Sequence, residues 1–344
     1  MVAARRFGMA LSLPLTLAAC DSDVQDDARG ASASNGTEVA SGSGTDGAGA
    51  GGAGPANGSD AASSGGIGAG DAGGGDGEGG QGGGSAIYVD VALGEDHSCA
   101  LTETGSIRCW GADFYGQASA PAGAFDAISG GGGFHGCATA GTTVTCWGQN
   151  VDGQTDVPAL AFTSVGAGNL HTCAIRASDS RPQCWGRNQS GNTQAPDVEL
   201  VRVESGLSHS CGLSAEGQPV CWGDEGSFDD PPAGVFAQLS LGNFFTCGLD
   251  EKGAIACWGF PIAEGILEPP IGEFVQIDAG DSHACALSKD GVVECWGDDG
   301  DGRLDAPEDV LFRAVSAGGS HSCGVVVDGS LRCWGADTLG QASP

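Results

Sequence analysis

The chain has 344 residues, with 44 acidic against 13 basic side chains and a formal net charge of -31. So acidic a surface repels phosphate backbones, which argues against nucleic acid as a partner. After the first 20 residues no apolar run approaches the length of a membrane span, which excludes a polytopic membrane protein.

Residues 1–19 read as a lipoprotein signal peptide. Arg5 and Arg6 supply the charged start, and Phe7 to Ala19 is a short apolar run. Leu17-Ala18-Ala19-Cys20 then matches the bacterial lipobox, which predicts that Cys20 is acylated and becomes the mature N-terminus. Cysteine parity agrees: of 15 cysteines, one lies at the lipobox and 14 lie further on, in pairs. The expected location is extracytoplasmic, on the outer membrane, with the membrane reached through lipid alone. It leaves open whether the protein faces the periplasm or the cell surface.

Residues 20–85 hold the lipidated cysteine and a linker. Residues 21–85 contain 23 glycines, and only Val24, Val39 and Ile67 are sizeable apolar side chains. Such a segment buries too little surface to offset its ordering entropy and is predicted to be disordered. As a Gly-rich coil it spans about 45 Å root-mean-square.

Residues 86–344 repeat one unit seven times. Tryptophans stand at 110, 147, 185, 222, 258, 296 and 334, at intervals of 36 to 38 residues, and occur nowhere else. A period that regular marks a tandem supersecondary unit. Each unit opens with a large apolar residue, an aliphatic three later and Gly three after that, as in Phe274/Ile277/Gly280. This is a first short strand. His-x-Cys-x-Leu or a variant alternates as a second, and a Gly turn leads to a third that carries Cys-Trp-Gly. Setting Cys99 opposite Cys109 pairs Thr102 with Ser106 and leaves a three-residue loop ending in Gly105, which suits a type I turn with a G1 bulge. The pair Cys137 and Cys146 implies a two-residue Gly141-Thr142 turn. The pairs 99/109, 137/146, 173/184, 211/221, 247/257, 285/295 and 323/333 therefore read as one disulfide per unit: Cys99–Cys109, Cys137–Cys146, Cys173–Cys184, Cys211–Cys221, Cys247–Cys257, Cys285–Cys295 and Cys323–Cys333. Zinc is the poorer reading, since no CxxC spacing occurs. The fold class expected is all-β, a seven-bladed β-propeller of short antiparallel blades; an open solenoid is the alternative.

The run Ala317-Gly318…His321-Ser322-Cys323-Gly324…Asp328-Gly329…Cys333-Trp334-Gly335…Gly340-Gln341 resembles the regulator of chromosome condensation repeat family in its shorter bacterial form. The resemblance covers residues 86–344 and implies a seven-bladed propeller. Guanine-nucleotide exchange, the activity of the eukaryotic namesake, is not carried over, because no position here matches its catalytic loop.

All six histidines (97, 135, 171, 209, 283, 321) occupy one repeat position, with Phe245 in the seventh. Repetition favours a structural hydrogen bond over a metal site, and the seven tryptophans read likewise as packing between blades. Asp298-Asp299-Gly300-Asp301-Gly302 resembles a calcium loop but lacks the distal Glu and reads as a turn. No catalytic residue, cofactor or metal is predicted. Departures from the repeat are the better guide to a single asymmetric partner. Units four and five carry Phe228, Phe244, Phe245, Phe260 and Ile262 in their loops, and these are the candidate binding residues. The expected function is a monomeric, lipid-anchored propeller that binds an envelope or extracellular protein. The alternatives are a carbohydrate-binding propeller, or a hydrolase or lyase with its site in the central channel. Clustered channel acids of shifted pKa would favour an enzyme; exposed aromatics on one face would favour binding.

Overall fold

The computed structural model describes residues 86–223 and 231–344. Cys20, the linker and Phe228 lie outside the described residues. Blade one comprises β1 (Tyr88–Leu93), β2 (His97–Thr102) and β3 (Ile107–Gly111), and blade two β4 (Ala127–Gly130), β5 (His135–Ala140) and β6 (Thr143–Gly148). Blade three is β7 (Phe162–Ala167), β8 (His171–Arg176) and β9 (Pro182–Gly186); blade four is β10 (Arg202–Ser205), β11 (His209–Leu213) and β12 (Pro219–Gly223). Blade five follows as β13 (Gln238–Leu241), β14 (Phe245–Leu249) and β15 (Ile255–Gly259). Blade six is β16 (Phe274–Ala279), β17 (His283–Ser288) and β18 (Val293–Gly297), and blade seven β19 (Phe312–Ala317), β20 (His321–Val326) and β21 (Leu331–Gly335). Each blade is one antiparallel three-stranded sheet built from a single unit, so no blade is shared between the chain's two ends.

The opening motif has a physical cause. Phe274 and Ile277 are three residues apart, an odd spacing that puts them on opposite faces of a regular strand. A register shift between Phe274 and Gln276 absorbs the extra residue, and both side chains end up buried. Phe312 and Val315 in β19 repeat the device.

The hairpins follow the cysteine register. Cys99 pairs with Cys109, and Thr102 N–H donates to the Ser106 carbonyl around Gly105, whose φ is 83°. Positive φ there favours Gly. In blade two Ala140 pairs with Thr143 across a Gly141-Thr142 turn. All seven cysteine pairs are disulfides within their own blade, with Cα atoms 4.0–4.1 Å apart. That is the close spacing of a non-hydrogen-bonded antiparallel pair.

The core lies between blades. Phe245 and Leu249 of blade five pack with Phe274, Ile277 and Trp296 of blade six. Val325 and Leu331 of blade seven pack in the same way with Val91 and Leu93 of blade one. The last blade thus closes on the first through ordinary inter-blade packing. Among the described residues no helix is long and apolar enough to cross a membrane.

Candidate functional site

Two sets of loops share one end of the ring. The first strand of each blade ends there in Gly, and the third strand ends there after Trp-Gly. Hydrogen bonds tie the sets together: Ala112 N–H donates to Asp96, Gln149 to Phe134, Arg187 to Leu170, Phe260 to Phe244, Asp298 to Ser282 and Ala336 to Ser320. We call this the loop face; the β2–β3 type hairpin turns occupy the opposite, hairpin face.

The histidines of the loop face join blades. His321 Nε2 lies 2.7 Å from Ser98 Oγ of blade one, and Ser98 in turn donates to the Gln341 carbonyl at 2.8 Å. With the hydroxyl proton committed to that carbonyl, the imidazole must be the donor to Ser98. Burial pushes its pKa down to about 3, so the ring is neutral. His135–Thr172, His171–Ser210, His209–Thr246 and His283–Ser322 repeat the link at 2.8–2.9 Å. Six of the seven tryptophans add a tie across such an interface. Trp110 Nε1 donates to the Gln341 carbonyl at 2.8 Å, Trp185 to Gln154 at 2.9 Å and Trp334 to Arg303 at 2.9 Å.

Unit five departs from this scheme for a reason of packing. Phe245 replaces the histidine, Ala284 the neighbouring hydroxyl and Ile266 the usual polar residue, and all three join one apolar cluster. Phe245 is 0% exposed, and Ile262 packs half-buried against the same cluster. Both side chains serve the blade five–six interface, Phe245 wholly and Ile262 in part. Phe244 is half-buried, while Phe260 stands 57% exposed on the loop face.

The sequence expectation missed Phe114 and Tyr115. They tip the loop after Trp110 and are 74% and 49% exposed. Their unit keeps the ordinary Gly116-Gln117 ending, so they did not register as a departure. The usable signal was an aromatic pair at a loop tip where sister units place polar residues such as Asn188, Gln189 and Ser190. Val151 and Leu339, at the tips of the flanking loops, are also exposed.

The Asp298–Gly302 loop carries its own counter-ion. Arg303 is buried, donates to the Gly300 and Gly319 carbonyls, and stands 3.6 Å from Asp298 and 3.7 Å from Asp301. A guanidinium takes the part a calcium ion would play.

First strands of all seven blades line a central cavity of about 170 Å³. Asp90, Glu204 and Asp278 face it. Burial first, then the Asp278 charge, pushes Glu204 up to about 8. Burial pushes Asp90 up to about 6 and raises Asp278. Asp278 stitches blades together, accepting from Ser240 Oγ at 3.0 Å and from the Ala317 amide at 2.9 Å. At the mouth on the loop face, Asp281 of blade six reaches across to Glu95 of blade one and Gly132 of blade two. Burial, then the Glu95 charge, raises its pKa. A larger space, about 730 Å³, is an open trough outside β18 at the rim, lined by other residues.

The model of the Regulator of chromosome condensation (RCC1) repeat matches residues 88–117, 274–303 and 312–341. Three of the seven blades carry that repeat. The ectodomain of the Physcomitrella patens receptor kinase CR4 is similar at 29% identity and a TM-score of 0.63, over 73% of this chain and 74% of that one. The Arabidopsis thaliana receptor kinase ACR4 ectodomain matches at 25% identity and 0.62, over 74% and 97%. Prp20p from Saccharomyces cerevisiae, at 15% identity and 0.59 over 70% and 82%, shares the fold. A comparison with curated proteins finds no match. In the matched stretches 88–117 and 312–341 the repeated His, Ser, Trp and Gly-Gln ending include the positions that form the inter-blade knot.

Proposed function

We propose that this propeller is an extracytoplasmic, lipid-anchored module that holds a protein partner on its loop face. One observation carries the reading. Among the described residues three aromatic side chains are exposed, Phe114, Tyr115 and Phe260, and all three stand on the loops that follow a Trp-Gly. Exposed aromatics gathered on one face are the material of interface anchors. Seven disulfides fit an oxidising compartment. Receptor-kinase ectodomains at 29% and 25% identity support the same side of the membrane. Cys20 supplies the lipid attachment.

The raised carboxyls favour a second reading, a hydrolase working in the channel. Ligand pockets run to roughly 300–1,000 Å³, whereas this cavity is about 170 Å³. Asp278 is moreover occupied in joining blades. Binding is the stronger reading.

The test is cross-linking of the full chain in its native envelope, comparing the parent with a Phe114→Ala/Phe260→Ala variant. Loss of a discrete cross-linked protein band in the variant is the expected result. An identical band pattern would place the site elsewhere. Fractionation of a Cys20→Ala variant tests the anchor, and retention in the membrane after a high-salt wash would refute it.

A further inference from the structure

Basic side chains are unevenly divided between the two faces, while carboxylates stand on both, with Glu103, Asp179, Glu216, Glu251, Asp290 and Asp328 at the hairpin turns. Ten described carboxylates lie in the loop-face loops, among them Asp96, Asp113, Asp152, Glu264, Asp299 and Asp337. Only two of the ten described basic residues, Arg187 and Arg303, belong to that face, and Arg303 is buried against its own loop. The remaining eight lie toward the hairpin face. Arg176, Arg181, Lys252 and Lys289 stand at or beside hairpin turns, and Arg202 and Arg313 begin first strands.

The exposed apolar side chains sit inside the acidic field. Leu339, Phe114, Tyr115 and Val151 come from the loops of blades seven, one and two, which are consecutive around the closed ring. Asp337, Asp113 and Asp152 alternate with them along those loops. Glu95 and Asp281 meet at the channel mouth.

Charge complementarity selects among occupants. A second copy would bring its own acidic loop face, or a hairpin face on which carboxylates outnumber the bases. The linker is acidic too, with ten carboxylates against Arg29 in residues 21–85. An anionic lipid surface is repelled for the same reason.

Resting on the loop-face reading above, we propose that the partner is a polypeptide surface of lysine and arginine set around apolar side chains. Its apolar groups pack on Phe114, Tyr115, Val151 and Leu339, and its cations lie over the carboxylates between them.

The probes are three synthetic peptides: one rich in lysine and phenylalanine, its glutamate-for-lysine counterpart, and its alanine-for-phenylalanine counterpart. Binding to the full chain is measured by calorimetry at low and high salt. The lysine–phenylalanine peptide is expected to bind, to weaken at least about fivefold in high salt, and to outcompete both counterparts. Asp96→Asn/Asp152→Asn/Asp337→Asn is expected to weaken it about fivefold. The control Glu103→Gln/Glu251→Gln/Asp290→Asn removes the same charge from the hairpin face and leaves binding within twofold. Equal losses for both triple variants would reduce the effect to net charge and overturn the proposal. If Phe114→Ala abolishes the envelope cross-link but neither triple variant alters peptide binding, the cationic class falls and the loop-face site survives. If Phe114→Ala alters neither cross-link nor peptide binding, both fall.

Discussion

Trp110 donates its indole N–H to the carbonyl of Gln341 at 2.8 Å, across a sequence separation of 231 residues. Ser98, its cross-strand partner, donates to the same oxygen. One carbonyl of blade seven therefore holds two donors of blade one, and the ring closes without exchanging a strand.

Removal of residues 341–344 is expected to leave the Trp110 N–H without its acceptor and Ser98 with His321 alone. An orphaned donor of this kind costs about 1–3 kcal/mol. A urea titration of the truncated chain should therefore show a stability loss of about 1–3 kcal/mol. An unchanged midpoint would mean the closure is held by packing alone.

The blade five–six interface offers a natural template for rewriting another. Phe245 with Ala284 stands where five other interfaces have His with Ser or Thr. Installing the apolar pair at blades seven and one, His321→Phe with Ser98→Ala, should be milder than the sum of the single changes. The coupling expected in a double-mutant cycle is about 1–2 kcal/mol. Strict additivity would show that the imidazole–hydroxyl contact carries no weight.

Strand register was legible because cysteine pairs and Gly turns count residues independently and agree, as at Cys99, Gly105 and Cys109. The inter-blade knot was not. Its acceptor is a backbone carbonyl, which Gln341, Arg303 and Ile266 provide equally well, so no residue type announces it. Channel chemistry was hidden for a related reason. One first-strand position reads Ala92, Ser129, Gly166, Glu204, Ser240, Asp278 and Ser316, and only closure of the ring brings these together. The apolar residues of unit five looked like a surface because Phe245, Ile262 and Ile266 sit in loop-like sequence. Their burial depends on Trp296 and Ala284 from the next blade.

Opposing titrations set the pH profile. The fold raises Glu204 from 4.5 to about 8, so its contribution is complete below pH 4.5 and is lost as pH rises through 8. The histidines work the other way: folded values of about 3–4 against 6.5 give a contribution complete above pH 6.5 and lost as pH falls through 3–4. Above pH 6.5 the histidine contribution is constant, so the carboxyls dominate. The melting temperature should fall between pH 6.5 and pH 9 by at least about 2 °C. Glu204→Gln should flatten that slope. A slope that persists unchanged in the variant would assign it to other groups.

Each disulfide closes a loop of about ten residues, for which chain entropy gives roughly 2–3 kcal/mol. Cys285→Ala with Cys295→Ala is expected to lose that much in a denaturant titration without loss of the β-sheet circular dichroism. Collapse of the whole ring would show instead that one staple governs cooperativity.

Phe245 and Phe260 lie near each other in blade five and separate packing from recognition. Phe245 is 0% exposed within an apolar cluster, whereas Phe260 is 57% exposed on the loop face. Truncating a buried phenylalanine costs about 3–5 kcal/mol, so Phe245→Ala should melt markedly earlier while the folded fraction still captures the partner. Phe260→Ala should melt within about 1 °C of the parent, since surface substitutions stay within roughly 0.5 kcal/mol. As an interface anchor it should nevertheless weaken partner capture about tenfold or more, the equivalent of roughly 1.4–2 kcal/mol. Capture and melting are measured on the same preparations. If Phe260→Ala binds like the parent, the site contracts to the loops of blades seven, one and two. If it melts as early as Phe245→Ala, its side chain belongs to the packing of blade five.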